Sequence, residues 1–130
     1  MTKDHVYTSF KDFILFLYVY MALADGHFDE TEEEVVLKKM ARLFPKLSAE
    51  ERMTKYKQCR DDFQELNTED ADYLIKNNFD NFPNVGFSDK YRVYREMYDI
   101  INADGVIDES ETEAMDKLKA IIDYDVKHLN

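Results

Sequence analysis

One eleven-residue segment occurs twice in this chain. Residues 24–34 read ADGHFDETEEE and residues 103–113 read ADGVIDESETE, and seven of the eleven positions are identical. An apolar run precedes each copy, and a helix-like pattern of apolar residues follows it. The repeat therefore predicts one helix–loop–helix unit built twice, with an offset of 79 residues.

The spacing of apolar residues predicts about six helices, and no segment shows a sustained two-residue alternation. The first helix, from about Val6 to Ala24, is apolar on all sides, which is typical of a central, buried helix. We expect Gly26 to end it. Ser48 with Glu51 has the spacing of a capping box. The expected starts or caps of the later helices are Asp29, Ser48, Thr68, Ser88 and Asp108.

These helices predict a single all-α domain, residues 1–130, packed as one compact bundle. Only two prolines and three glycines are present, which argues against an all-β fold rich in turns. Helices one and two form one hairpin, helices five and six form a second, and helices three and four connect them. Duplicated hairpins favour packing about a pseudo-twofold axis.

Charge and hydropathy restrict the partners and the location. A net charge of −11 repels phosphate backbones, so we expect no nucleic-acid partner. The longest apolar run, residues 13–24, is too short to cross a bilayer and is interpreted as a core helix, not a signal peptide. We expect no membrane insertion and a cytoplasmic location. The single Cys59 excludes an internal disulfide and is expected to be a small buried hydrophobe.

Helix capping explains part of each acidic loop. Asp29 and Glu32 have capping-box spacing, and so do Asp108 and Glu111. The additional carboxylates of the two segments favour the positive end of a helix dipole. These positions therefore need no ligand.

Capping does not explain Asp25 and Asp104, which follow the preceding helix at its negative end. A bound cation would remove that cost. Carboxylates separated by four and three residues around a tight turn can converge, and hard oxygen ligands suit Ca²⁺, Mg²⁺ or Mn²⁺. The predicted metal ligands are Asp25, Asp29, Glu32, Asp104, Asp108 and Glu111.

Comparison with an EF-hand limits this prediction. Asp104 to Glu111 matches the second half of a calcium loop, with an acid, a glycine, an apolar residue, an acid and a glutamate in the expected order. The first ligand place holds Ile100 in one copy and Met21 in the other. Any metal is therefore held weakly, shared between the two loops or completed by water.

An apolar helix, then Ala-Asp-Gly, then five residues and a Glu, present twice about eighty residues apart in an all-helical chain, resembles the TerB family. That family is named for tellurite-resistance operons, and related domains occur in the DjlA co-chaperones. The resemblance covers about Phe10 to Ile122 and implies a divalent-metal site at the six acidic residues named above. No His-Pro-Asp motif of a J-domain occurs in the chain, and residues 52–84 match no motif of the family.

These observations predict a non-enzymatic, divalent-metal-responsive binding module in bacterial stress physiology, with an unidentified protein partner. The alternative is a metal-free protein-interaction scaffold whose acidic loops are only helix caps. Tyr91, Tyr94 and Tyr98 could serve such an interface, although helical spacing predicts that Tyr94 and Tyr98 belong to the core. No nucleophile motif, phosphate-binding glycine loop or pair of His ligands is present, so we expect no enzymatic activity.

Overall fold

Six helices and no strand make up the part of the chain that the computed structural model describes, residues 1–23, 30–82, 87–102 and 109–128. The helices pack on one another through contacts between residues distant in sequence. The predicted all-α bundle of about six helices is confirmed. In chain order the helices are α1 (Phe10–Ala22), α2 (Glu30–Leu43), α3 (Ala49–Gln64), α4 (Thr68–Asp80), α5 (Phe87–Ile101) and α6 (Glu109–His128).

Helix α1 is the centre of the bundle. Every residue from Phe13 to Ala22 is buried, and α1 contacts α2, α3, α5 and α6. Its apolar residues point in all directions, so each neighbouring helix buries its own apolar stripe against a different side of α1. Full burial of one large apolar side chain contributes roughly 1.5–3 kcal/mol, which makes α1 the main source of core stability. The predicted central, buried helix is confirmed.

The start of α1 differs from the prediction, because the helix begins at Phe10 and not near Val6. The preceding backbone is bonded to α4 instead. The Tyr7 amide donates to Oδ1 of Asn78 at 2.8 Å, and Nδ2 of Asn78 donates to the His5 carbonyl at 2.9 Å. A fully buried side chain on α4 thus binds the backbone at His5 and Tyr7, and residues 1–9 form an N-terminal arm outside α1.

The helix caps were predicted with mixed success. The Ser48 box is confirmed: the Glu51 amide donates to Oγ of Ser48, and the Ser48 amide donates to the Glu51 carboxylate. The cap of α4 is Asn67, whose Oδ1 accepts from the Asp70 amide at 2.8 Å, so the prediction of Thr68 was wrong by one residue. Ser88 lies within α5 and does not cap it.

Three buried tyrosines join helices through their hydroxyl groups. Each ring lies in the core while its hydroxyl donates to a carboxylate on another helix. Such a side chain fills apolar space with its ring and satisfies its one polar group at the edge of the core. The tyrosine–carboxylate pairs are Tyr18–Glu96 between α1 and α5, Tyr20–Asp72 at 3.3 Å between α1 and α4, and Tyr56–Glu33 at 3.0 Å between α3 and α2.

The two predicted hairpins both contain helices in contact, α1 with α2 and α5 with α6. In addition α1 contacts α5, α2 contacts α5 and α1 contacts α6. If α1 and α2 exchanged places with α5 and α6, the same pairs of helices would be in contact. Residues at the repeat offset are buried in both α1 and α5, as in the pairs Ile14/Val93, Tyr18/Met97 and Met21/Ile100. The loops within the two hairpins, residues 24–29 with Gly26 and residues 103–108, lie outside the described residues, so the pseudo-twofold axis stays a prediction.

Candidate functional site

The predicted metal ligands are only partly described by the structure. Glu32 and Glu111 belong to the first turns of α2 and α6. Asp25, Asp29, Asp104 and Asp108 lie outside the described residues. Within the described part of the chain, no three or more His, Cys, Asp or Glu side chains form a group able to hold a metal ion.

Glu32 and Glu111 share an unusual environment for a carboxylate. Glu32 is 2% exposed and Glu111 is 3% exposed, although both lie in the first helical turn of an acidic segment. Each precedes by four residues an apolar side chain that is also buried, Val36 in α2 and Met115 in α6. The two glutamates therefore belong to the inward faces of their helices. Burial of equivalent residues in both copies is a shared property of the repeat.

The neighbouring carboxylates of the same segments show the opposite behaviour. Glu34 and Glu113, which are also identical in the two copies, are exposed. Thus the repeat has preserved two kinds of glutamate, one facing the interior and one facing solvent. Only the inward-facing pair needs a compensating partner for its charge.

The Ser48 capping box provides a comparison for these positions. Glu51 is the third residue of its helix, the position that the capping interpretation gives to Glu32 and Glu111. Its hydrogen bonds with Ser48 lower the pKa of its carboxyl group. However, Glu51 is exposed. A capping glutamate therefore does not need to be buried, and capping alone leaves the burial of Glu32 and Glu111 unexplained.

The positive end of the helix dipole offsets part of the cost of this burial. Both carboxylates lie in the first turn, where amide groups favour negative charge by about 0.3–1 kcal/mol. Transfer of a carboxylate out of water costs several kcal/mol, which exceeds that contribution. Both residues take part in further interactions. The donor set that they provide, carboxylate oxygens, suits a hard divalent cation.

A large groove lies between the N-terminal arm, α1 and α3. Its volume is about 870 Å³, and Leu15 and Cys59 are at its apolar floor. Burial raises the pKa of the Cys59 thiol to about 12, so the thiol is a poor nucleophile, as expected from the sequence. Asp12 and Lys55 form an ion pair of 2.8 Å beside it. The rim is otherwise acidic, with Glu50, Glu51 and Asp62.

A smaller cleft of about 410 Å³ lies between α1, α2 and α5. Basic residues from all three helices line it, together with the hydroxyl-bearing Tyr18 and an apolar floor. The basic side chains are Lys11, Lys39, Arg42 and Arg92. In a chain with a net charge of −11, this concentration of positive charge is a distinctive local feature.

One of the three tyrosines of α5, Tyr98, is more exposed than predicted. Tyr91 is 38% exposed and Tyr98 is 48% exposed, whereas Tyr94 packs partly against the core and contacts the Tyr91 ring. The expectation that Tyr98 belongs to the core was wrong. The inward stripe of α5 is Val93, Met97 and Ile100, and Tyr98 is rotated away from it by about 100° relative to Met97.

The chain matches no protein-family model, and no curated protein and no solved structure is significantly similar to it. The resemblance to the TerB family therefore depends on the two acidic motifs themselves. None of the helices in the described part of the chain is long and apolar enough to cross a membrane.

Several candidate residues were not predicted from the sequence. The basic residues of the smaller cleft are separated by up to about 80 positions and match no motif, so only the packing of three helices brings them to one place. The groove beside Cys59 likewise requires the N-terminal arm, whose residues 6–9 periodicity assigned to α1. A weak signal for Glu32 and Glu111 was available, since both precede an apolar residue by one helical turn.

Proposed function

We propose that this chain is a TerB-like, non-enzymatic binding module that takes up a divalent cation at its two acidic loops. The observation that carries the proposal is the burial of Glu32 and Glu111 at equivalent positions of the repeat. Two inward-facing carboxylates at the ends of two loops, each with further aspartates in the same loop, provide oxygen ligands of the kind that Ca²⁺, Mg²⁺ and Mn²⁺ prefer.

The cation would add positive charge beside the acidic loops. Asp25 and Asp29 would supply the remaining oxygens beside Glu32, and Asp104 and Asp108 would do so beside Glu111. When bound, the metal neutralises these carboxylates and links the two helices of a hairpin through their common loop. Binding thereby favours the folded hairpins, and the module's affinity for a protein partner in stress physiology would follow the metal concentration.

Thermal unfolding with and without metal tests this proposal. We expect millimolar Ca²⁺, Mg²⁺ or Mn²⁺ to raise the melting temperature of the wild type, because a ligand that binds only the folded chain stabilises it by about 2.7 kcal/mol at a hundredfold excess over its Kd. The double variants Glu32→Gln/Glu111→Gln and Asp25→Asn/Asp104→Asn should lose most of this increase.

The repeat offers a matched control. Glu34→Gln/Glu113→Gln removes the same two charges at exposed positions of the same segments, and it should keep the full response to metal. Sodium chloride at equal ionic strength measures how much stabilisation comes from screening the net charge of −11. If the buried and the exposed pair of glutamates lose the response equally, or if sodium chloride reproduces it, the metal proposal is wrong.

The alternative function, a metal-free interaction scaffold, is favoured by a different observation. Tyr91 and Tyr98 present two exposed phenol rings on one face of α5, and rings with a polar tip are common in protein interfaces. A partner retained by the wild type and by Tyr73→Ser, but lost by Tyr91→Ser/Tyr98→Ser, would support this function. Retention by all three proteins would contradict it.

A further inference from the structure

We propose that the cleft between α1, α2 and α5 is a binding site for a small phosphate monoester with an apolar body. The cleft has a volume of about 410 Å³, which lies within the range of pockets that hold small ligands. It does not include the acidic loops or the exposed tyrosines of α5. The proposal is therefore independent of the function proposed above.

The charge of the cleft is opposite to that of the molecule. Four basic side chains line it against two carboxylates, Asp89 and Glu96, in a chain with a net charge of −11. The basic residues come from three helices, so the positive charge is concentrated by the packing of the bundle and not by a run in the sequence. An excess of two positive charges matches the charge of a phosphate monoester near neutral pH, about −1.5 to −2.

The two carboxylates of the cleft already have partners. The Glu96 carboxylate accepts a hydrogen bond from the Tyr18 hydroxyl, and Nζ of Lys39 lies 4.0 Å from Glu96 and 3.3 Å from Asp99. Asp89 lies 3.8 Å from Arg92 in a solvent-exposed pair, an arrangement that contributes little to stability and yields readily to a stronger anion.

Two of the basic groups remain available for a ligand. Among the described residues, Lys11 and Arg42 have no ion-pair partner. Arg42 and Arg92 both act electrostatically on the Tyr18 hydroxyl, where they oppose the increase in its pKa caused by burial and by Glu96. Both side chains also line the cleft, so they can act on an anion bound there. Guanidinium groups donate two parallel hydrogen bonds to phosphate oxygens, which gives such a site its geometry.

The remaining wall of the cleft is apolar. Ile14 and Val93 are buried at its floor, and Leu43 is partly buried beside them. A bare phosphate ion would leave this surface in contact with water, whereas an ester with an apolar body would cover it. The combination of an anionic group and an apolar body distinguishes the proposed ligand from inorganic phosphate.

Phenyl phosphate is a suitable probe, with inorganic phosphate and phenol as its two parts. We expect isothermal titration calorimetry at low salt to show saturable binding of phenyl phosphate to the full chain, weaker binding of inorganic phosphate and no binding of phenol. Arg42→Gln and Lys11→Gln should each reduce the affinity by about tenfold or more, since each removes a charge-assisted hydrogen bond. In NMR spectra, addition of phenyl phosphate should shift the amide resonances of the residues of α1, α2 and α5 that line the cleft.

Two exposed basic residues outside the cleft provide matched controls. Arg95→Gln and Lys57→Gln remove the same charges from α5 and α3, and they should leave the affinity for phenyl phosphate unchanged. The proposal is overturned if phenyl phosphate does not saturate, if it binds no better than inorganic phosphate, or if the control variants weaken binding as much as Arg42→Gln and Lys11→Gln do. Far-UV circular dichroism of each variant distinguishes loss of a ligand contact from loss of folding.

Discussion

At the scale of single residues, burial determines the chemistry of the titratable groups. Glu32 and Glu111 are buried while Glu34 and Glu113 are exposed, so identical residue types of one repeat have different surroundings. Burial also acts on Cys59, whose thiol lies beside the large groove and has a pKa raised to about 12. The residue type alone therefore does not determine what these groups can do.

For Cys59 we expect slow modification of the folded chain. Because the thiolate is the reactive form, a pKa near 12 should reduce the rate of reaction with a disulfide reagent at pH 8 by about a thousandfold relative to the unfolded chain. Both rates are measured from the absorbance of the thiolate that the disulfide reagent releases, with and without urea. Equal rates in the two states would show that the thiol is open to solvent.

The sequence predicted the burial of Cys59 but not that of the two glutamates. A lone cysteine among helical residues is usually a small core residue, and no competing role was visible. For Glu32 and Glu111 the capping interpretation was sufficient, and it makes no prediction about exposure, as exposed Glu51 shows. Burial of a first-turn residue depends on the helices packed beside it, which periodicity within one helix does not include.

At the scale of helices and segments, Asn78 holds the N-terminal arm against α4. Its side chain accepts from the Tyr7 amide and donates to the carbonyls of His5 and Leu74. These contacts explain why α1 begins at Phe10, four residues later than predicted. Periodicity could not identify this boundary because it is set by a residue about 70 positions away in the sequence.

We expect Asn78→Ala to destabilise the fold by about 2–4 kcal/mol, since it removes three hydrogen bonds and leaves the partly buried backbone groups of His5 and Tyr7 without this partner. The arm should become sensitive to proteases, and the Tyr7 amide should lose protection in hydrogen exchange. Asn81→Ala is the matched control, because Asn81 is exposed and bonds only within its own helix. It should change stability by about 0.5 kcal/mol or less. Similar losses in both variants would contradict the proposed role of Asn78.

At the scale of the whole molecule, the three tyrosine–carboxylate pairs connect α1 to α5, α1 to α4 and α3 to α2. Burial is the main cause that raises the pKa of Tyr18, Tyr20 and Tyr56 above the ordinary value, and the neighbouring carboxylates raise it further. The folded chain thus keeps these phenols protonated at pH values where the unfolded chain loses the protons. Their contribution to stability is complete below about pH 10 and is lost as the pH rises beyond it.

An alkaline titration tests this coupling. We expect the part of the tyrosinate absorbance that comes from the buried phenols to rise together with the loss of helical circular dichroism above about pH 10, because these phenols ionise only when the chain unfolds. In Tyr18→Phe the free energy of unfolding should fall less steeply with pH above this value than in the wild type. The difference in slope should be about 1.4 kcal/mol per pH unit, because the variant has one ionising proton fewer. At neutral pH the variant should lose about 1 kcal/mol with its hydrogen bond. An unchanged slope would show that Tyr18 ionises freely in the folded chain.

The overall architecture was predictable to the level of six helices and a buried α1, because apolar spacing within each segment carries that information. The way in which the helices pack against one another was not predictable from this spacing. The basic cleft combines Lys11, Arg42 and Arg92, and no local pattern connects these residues. Sites assembled from several helices require the packing of the bundle, whereas each acidic motif lies within one short segment and was visible in the sequence.

The central position of α1 also has a consequence for synthesis on the ribosome. The most apolar helix is made before α5, which covers one of its sides and follows roughly 80 residues later, about 4–16 s at common rates of translation. During that interval the nascent chain carries an uncovered apolar helix, the kind of segment that chaperones bind. We expect ribosome-bound chains that end before α5 to associate with such factors, and chains that include α6 to be released from them.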